Sequence, residues 1–268
     1  MSQAFNYYGL RPNGGEARTG APSKELKAKA RTSGRTWVMW RIGDEEFDAP
    51  ATSEILELGL FHTRRVRTPR RRPDEPFLTG FYWFSSTGEH VWFNSQLEAD
   101  VLRRFDQAGD IVAVAAQPAT LVFPDGKHWH VLDYLVLDDR GRQRVLDVKY
   151  ESKLGDPEVQ LQFSLTAEVC AAIGWGYEIH TELPDLLHRN QRFIMQCNKP
   201  WDMPPREREL ELASAAANPL TVLEAAMVLC PADIALGRTY FYNLVWRNEW
   251  AVDLTQPLSD ISAVWKIR

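Results

Sequence analysis

The sequence predicts an α/β protein: a mixed sheet flanked by helices, followed by a small helical domain with a terminal pair of strands. Three observations carry this expectation. Short runs rich in Val, Ile, Leu and aromatic residues recur between turn signals and read as strands. Two longer stretches, Asn94 to Gln107 and Pro157 to Ile173, carry apolar residues at helical spacing. A composition break at Asn198-Lys199-Pro200-Trp201-Asp202-Met203-Pro204-Pro205 separates this part from a series of compact helical patterns. The expected domains are an N-terminal arm and basic segment over residues 1–75, a core over 76–200 and a small domain over 201–268.

From the N-terminus, Met1 to about Arg35 is polar and reads as an irregular arm with a short helix around Lys24 to Ala30. Trp37 to Ile42 alternates as a strand, Phe47-Asp48-Ala49-Pro50 reads as a turn, and Thr52 to Leu58 as a short helix. His62 to Arg72 then contains Arg64, Arg65, Arg67, Arg70, Arg71 and Arg72 with no acid until Asp74. Such a block suits DNA phosphate contact through forked guanidinium groups; a solvated loop is the competing reading. Phe81 to Phe84 and Glu89 to Phe93 form an expected hairpin around Ser85-Ser86-Thr87-Gly88.

In the first strong helix, Leu97, Val101, Leu102 and Phe105 make the apolar stripe. Ser95 and Glu98 have capping-box spacing, yet Glu98 sits one turn before Leu102 and could equally face a site at the sheet. Val112 to Ala115 and Thr120 to Phe123 read as short strands split by Gln117-Pro118. Gln117 is either a strand-terminal structural residue or a group facing the site or DNA. Trp129 to Leu137 and Arg144 to Tyr150 follow as strands joined by Asp138-Asp139-Arg140-Gly141-Arg142. The second long helix has Pro157 at its start and Gly174 just beyond its end, the usual asymmetry. Tyr177 to Thr181 reads as a strand and Asp185 to Phe193 as a helix or turn. Beyond the break, Arg208 to Ala216, Thr221 to Leu229 and Ala232 to Trp246, interrupted near Gly237, read as helices. Strands at Trp250 to Leu254 and Ser262 to Ile267 complete a pattern resembling a winged helix, which could read a DNA groove or dock a protein.

The two strands around Asp138–Arg142 are interrupted by charge at Asp133, Asp147 and Lys149. Unpaired buried charge is costly, and side chains alternate faces along a strand, so Asp147 and Lys149 share a face. A divalent-metal site explains them: carboxylates from neighbouring strands hold a hard cation whose shell phosphate oxygens complete, and an adjacent ammonium stabilises developing charge. A buried Asp–Lys pair, or strand ends emerging into solvent, explains them too. His128 and His130 read as packed or solvated strand residues, since no Cys/His quartet accompanies them.

Composition narrows the rest. The 268 residues are 44% hydrophobic and 25% charged, enough for a substantial core. No apolar run is long enough to span a bilayer, and no secretory h-region follows Met1. Cys170, Cys197 and Cys230 are widely spaced, as suits a reducing cytoplasm and not a disulfide framework. The net charge of −5 does not announce a nucleic-acid binder, although a local basic patch would suffice.

Glu98, Asp133 and Asp147-x-Lys149 form an E…D…(D/E)-x-K arrangement that resembles the metal-dependent PD-(D/E)XK nucleases, with their restriction-endonuclease-like fold. The segments Phe93-Asn94-Ser95-Gln96-Leu97-Glu98, Ala116-Gln117-Pro118, H-V-L-D-Y and V-L-D-V-K are similar to the TnsA-like heteromeric transposase endonuclease subunits. That resemblance spans roughly residues 80–200. Leu132 stands where such families usually carry Pro. The resemblance implies Glu98, Asp133 and Asp147 as metal-binding residues, with the Val148 carbonyl as a further ligand and Lys149 as the catalytic lysine. It implies Mg²⁺ as cofactor, with Mn²⁺ substituting, and double-stranded transposon ends as substrate. A DDE-type transposase and an ATP-binding regulator are the implied partners, with no membrane involvement. The alternatives are a phage-defence or repair nuclease of the same fold, or a catalytically idle DNA- or protein-binding adaptor.

Overall fold

The computed structural model describes residues 18–68 and 79–267. Among these, strands in several sheets alternate with helices, an α/β architecture as expected. The chain divides into two compact units drawn from alternating stretches: Met1–Leu78, Ala113–Asp147 and Gly155–Ile179 make one, and Thr79–Val112, Val148–Leu154 and His180–Arg268 the other. The three consecutive segments expected from composition are a different partition, because the chain passes repeatedly between the units.

In the first unit the Trp37–Ile42 strand pairs antiparallel with Glu45–Pro50 on one side and Ala119–Val122 on the other, and Ala119–Val122 in turn with Trp129–Val131. The expected turn at Phe47–Pro50 is therefore part of a strand. The chain reverses instead at Gly43, whose φ of 61° is the left-handed conformation that glycine adopts without strain. A second sheet has the order Gly176–His180, Gln143–Val148, Tyr134–Asp138, Ile111–Ala116.

The single expected strand Trp129–Leu137 is two strands in two sheets, Trp129–Val131 and Tyr134–Asp138. The break at Leu132–Asp133 follows from where the backbone finds partners: Leu132 N donates to the Ala119 carbonyl, and the Asp133 carbonyl accepts from Gln117 N. Val38, Leu121, Leu132, Leu135, Val145 and Ile173 lie in one buried cluster, each such side chain contributing about 1.5–3 kcal/mol on leaving water. The helix Pro157–Ile173 has its expected limits, with Asp156 capping its start and Gly174 closing it at φ 97°.

In the second unit the hairpin Gly80–Phe84/Glu89–Phe93 and the helix Gln96–Ala108 precede an apolar cluster built from the C-terminal helices. Helices Arg206–Ala215, Val222–Leu229 and Ile234–Trp246 accompany a three-stranded sheet ordered Leu220–Thr221, Ala263–Lys266, Trp250–Val252. Thr221 and Glu224 form a capping box at the start of the middle helix. Gly237 does not interrupt the last helix. It lies where a Cβ would come within 2.2 Å of the Ala226 carbonyl oxygen, so the residue permits two helices to pack closely. No helix among the described residues is long and apolar enough to cross a membrane.

Candidate functional site

The antiparallel hairpin Tyr134–Asp138/Gln143–Val148 pairs Tyr134 with Leu146. The pairing begins at Tyr134, and Asp133 lies in the bend immediately before it. The charges of Asp147 and Asp133 both act on the Tyr177 hydroxyl, so the two carboxylates of the motif lie near one side chain of the first unit.

Asp147 is 2% exposed, whereas Asp133 is half-buried. Burial of a carboxylate requires donors; two strands supply them and a helix supports one of the donors. His130 Nε2, from the Trp129–Val131 strand, lies 2.9 and 2.8 Å from the two oxygens of Asp147. The Tyr177 hydroxyl donates to Oδ2 at 2.7 Å. Gln162, on the Pro157–Ile173 helix, contacts His130 Nδ1. The carboxylate makes Nε2 the donor to Asp147, and Nδ1 faces the Gln162 side-chain amide.

The electrostatics agree with convergence. Burial raises the Tyr177 phenol well above its ordinary value, followed by the charge and hydrogen bond of Asp147, with further contributions from Cys170 and Asp133. Burial and then the Asp147 charge push the Cys170 thiol up to about 12, so this cysteine is an inert core residue and no nucleophile.

Gln117 adjoins Asp133. Its φ of 49° is a left-handed conformation rare for a side chain of this size, and its backbone N–H holds the Asp133 carbonyl at 2.8 Å. The residue is 3% exposed, and its side-chain Oε1 is buried with no hydrogen-bond partner. Its left-handed backbone and orphaned buried oxygen make Gln117 a candidate functional residue.

Among the described residues no three His, Cys, Asp or Glu side chains form a preassembled metal cage. The donor chemistry nonetheless suits a hard cation. Asp147 Oδ1 carries a single hydrogen-bond contact, and the Gln117 oxygen has no partner. Mg²⁺ requires few protein oxygens when phosphate and water complete its shell. Asp133 and Asp147 have the donor chemistry such an ion takes, and Gln117 adds an amide oxygen without a partner.

The remaining motif residues belong to the second unit. Glu98 is committed to its helix: Ser95 caps through the Glu98 N–H, and Glu98 Oε2 accepts from Asn94 N at 2.7 Å. Val148 ends its strand, and Lys149 N donates to the His180 carbonyl at 3.0 Å.

Of the arginine run, Arg64 is exposed and paired with Asp44 at 2.9 Å. Arg65 turns inward, where burial and the Arg64 charge hold its guanidinium down to about 10. Arg67 is exposed on a short strand paired with Arg18–Thr19. Arg70, Arg71 and Arg72 lie outside the described residues.

The sequence reading missed the roles of Tyr177 and Gln162 and took His130 as a packed or solvated residue. No spacing announces them, since they come from three elements brought together only by the tertiary fold. It also missed a cavity of about 190 Å³ lined by Phe123, Trp129, Glu158 and Gln162 among others. Gln162 lines this cavity and touches His130, linking it to the buried carboxylate. No protein-family model and no curated protein matches the chain.

Proposed function

We propose that this protein is a divalent-metal-dependent DNA endonuclease of the PD-(D/E)XK type. Within that class we assign it as the TnsA-like subunit that cuts transposon 5′ ends alongside a DDE-type transposase and an ATP-binding regulator. The observation that supports the reading is that the charges of Asp133 and Asp147 both act on the Tyr177 hydroxyl, with Lys149 two residues farther along the chain. Bound Mg²⁺, or Mn²⁺ in its place, would polarise the scissile phosphate and make the attacking water more acidic. Asp133 and Asp147 would hold the ion, with Gln117 Oε1 as a further oxygen. His130 and Tyr177 keep the Asp147 carboxylate in one orientation, the role that supporting hydrogen bonds play for ligating carboxylates. Lys149 is retained on sequence spacing: its ammonium steadies negative charge on the phosphate.

The order helix, short strand, helix, helix, strand, strand from Arg206 to Lys266, with the short strand beside the last one, supports the winged-helix reading of the C-terminal residues. Cleavage of labelled transposon-end DNA by the chain with its partner subunits tests the proposal. Asp133→Ala, Asp147→Ala and Lys149→Ala should each lose about 10²- to 10³-fold or more in Mg²⁺-dependent cutting, with circular dichroism unchanged. Undiminished cutting by all three variants would remove the site assignment.

One observation favours a second reading, that of a DNA- or protein-binding adaptor. Asp147 is almost fully buried and both its oxygens already have partners, as suits a structural acid. Absence of Mg²⁺- or Mn²⁺-dependent cleavage in the reconstituted system, with DNA or partner binding intact, would select it.

A further inference from the structure

Helices Gln96–Ala108 and Asp185–Ile194 bring a group of basic side chains together in the second unit. Asp100 links them. One of its oxygens is paired with Arg103, and the other lies 2.9 Å from His188 Nε2. That second contact is an ion-pair approach without an aligned hydrogen bond, and the imidazole nitrogen is buried. The Arg103 and Asp100 side chains are only 12% and 13% exposed. Arg192 stands one helical turn beyond His188 and acts on both His188 and Arg103. Arg104 donates from Nη2 to the Thr181 carbonyl at 3.1 Å, while its Nε is buried with no partner.

Three guanidinium groups and an imidazole thus converge where Asp100 supplies the close negative charge, and Asp185 acts on His188 from its own helix. The crowding registers in the side chains. Burial and the Arg192 charge hold the Arg103 guanidinium down to about 10. Burial, Arg192 and Arg103 lower the His188 imidazole, with Asp185 opposing them. Clustered arginines with unused N–H groups match the tetrahedral oxygens of phosphate, which accept forked donor pairs.

We infer that Arg103, Arg104, Arg192 and His188 form a binding site for a phosphate group, carried either by a nucleic-acid backbone or by a free phosphate. None of Asp133, Asp147 and Lys149 takes part, so the site stands whether or not the chain cuts DNA.

Thermal unfolding of the full chain in rising inorganic phosphate, at constant ionic strength against chloride, tests the inference. Phosphate should raise Tm, as any ligand of the native state does, and Arg104→Gln should abolish the rise. Arg192 is exposed, so Arg192→Gln keeps the fold and should weaken the apparent phosphate affinity several-fold. A DNA-binding arm separates the sources. If a backbone phosphate occupies the site, Arg192→Gln lowers the slope of log K against log salt by about 1. If the phosphate response falls in the variants while that slope stays fixed, the ligand is a free phosphate. Equal phosphate stabilisation of wild type and Arg192→Gln, or none in either, overturns the site.

Discussion

Asp106 in the second unit and Asp147 in the first are both almost completely buried, and the two are satisfied in different ways. Asp106, 3% exposed in the second unit, accepts from the Tyr82 hydroxyl at 2.8 Å, Ser85 N at 2.9 Å, Ser85 Oγ at 2.6 Å and Ser86 N at 3.2 Å. Two of these donors are backbone groups of a hairpin turn. Asp106 also sits in the last turn of its helix, where negative charge is opposed by the macrodipole, so the donors must offset that cost too. Asp147 in the first unit accepts only from side chains, His130 and Tyr177, carried by separate strands. The first arrangement ties down a turn. The second orients a carboxylate, which is what a site requires and what a turn does not.

The largest effect expected from this contrast is on stability. Asp106→Asn keeps one acceptor oxygen but turns an NH₂ group towards N–H and O–H donors. It should cost about 3 kcal/mol, because several hydrogen bonds to a charged acceptor are lost in a buried place. Denaturant unfolding measures this, and a change within experimental scatter would show that the hairpin turn does not need its carboxylate. Cleavage per folded molecule should be unaffected.

Tyr177→Phe probes the other half of the comparison. It removes one donor and leaves His130 on Asp147, so its stability cost should be only about 1 kcal/mol. The concentration of Mg²⁺ or Mn²⁺ needed for half-maximal cleavage should instead rise about 10- to 100-fold, the usual consequence of loosening a supporting partner. His130→Ala should act in the same direction. If both variants lose stability and leave the metal requirement unmoved, Asp147 is a structural acid like Asp106.

What could be read from the sequence divides along the same physical line. Trp37–Ile42 and Pro157–Ile173 have the limits their residues announce, because strand alternation, the proline start and the glycine stop are local signals. Ser95 and Glu98 form the cap that their spacing suggests. The pairing of Tyr134–Asp138 with Gln143–Val148 was within reach, since a hairpin turn fixes register. The split at Leu132–Asp133 was not, because it depends on Ala119 and Gln117 offering backbone partners from elsewhere in the chain. Nor was the environment of Asp147, whose donors His130 and Tyr177 are 17 and 30 residues away. Gln117 gave a partial signal. An isolated Gln-Pro between strands marks a break, but a positive φ and an orphaned oxygen appear only in three dimensions.

The smallest expected effect concerns pH and the second unit alone. His188 has its protonation value lowered from 6.5, first by burial and then by Arg192 and Arg103. The unfolded chain therefore binds a proton more readily than the folded one. Stability from this group is complete above its unfolded value and declines as pH falls through about 6.5 towards the lower folded value. Between about pH 7.5 and 5.5, Tm of the wild type should fall more steeply than that of His188→Gln. Parallel curves would mean that His188 does not sense the arginines. The scan belongs in a buffer without phosphate: an anion held by Arg103, Arg104 and Arg192 would cancel their repulsion, raise the folded value of His188 and flatten the wild-type curve towards that of the variant. Repeating the scan with phosphate thus turns a small titration effect into a second readout of whether those guanidinium groups hold an anion.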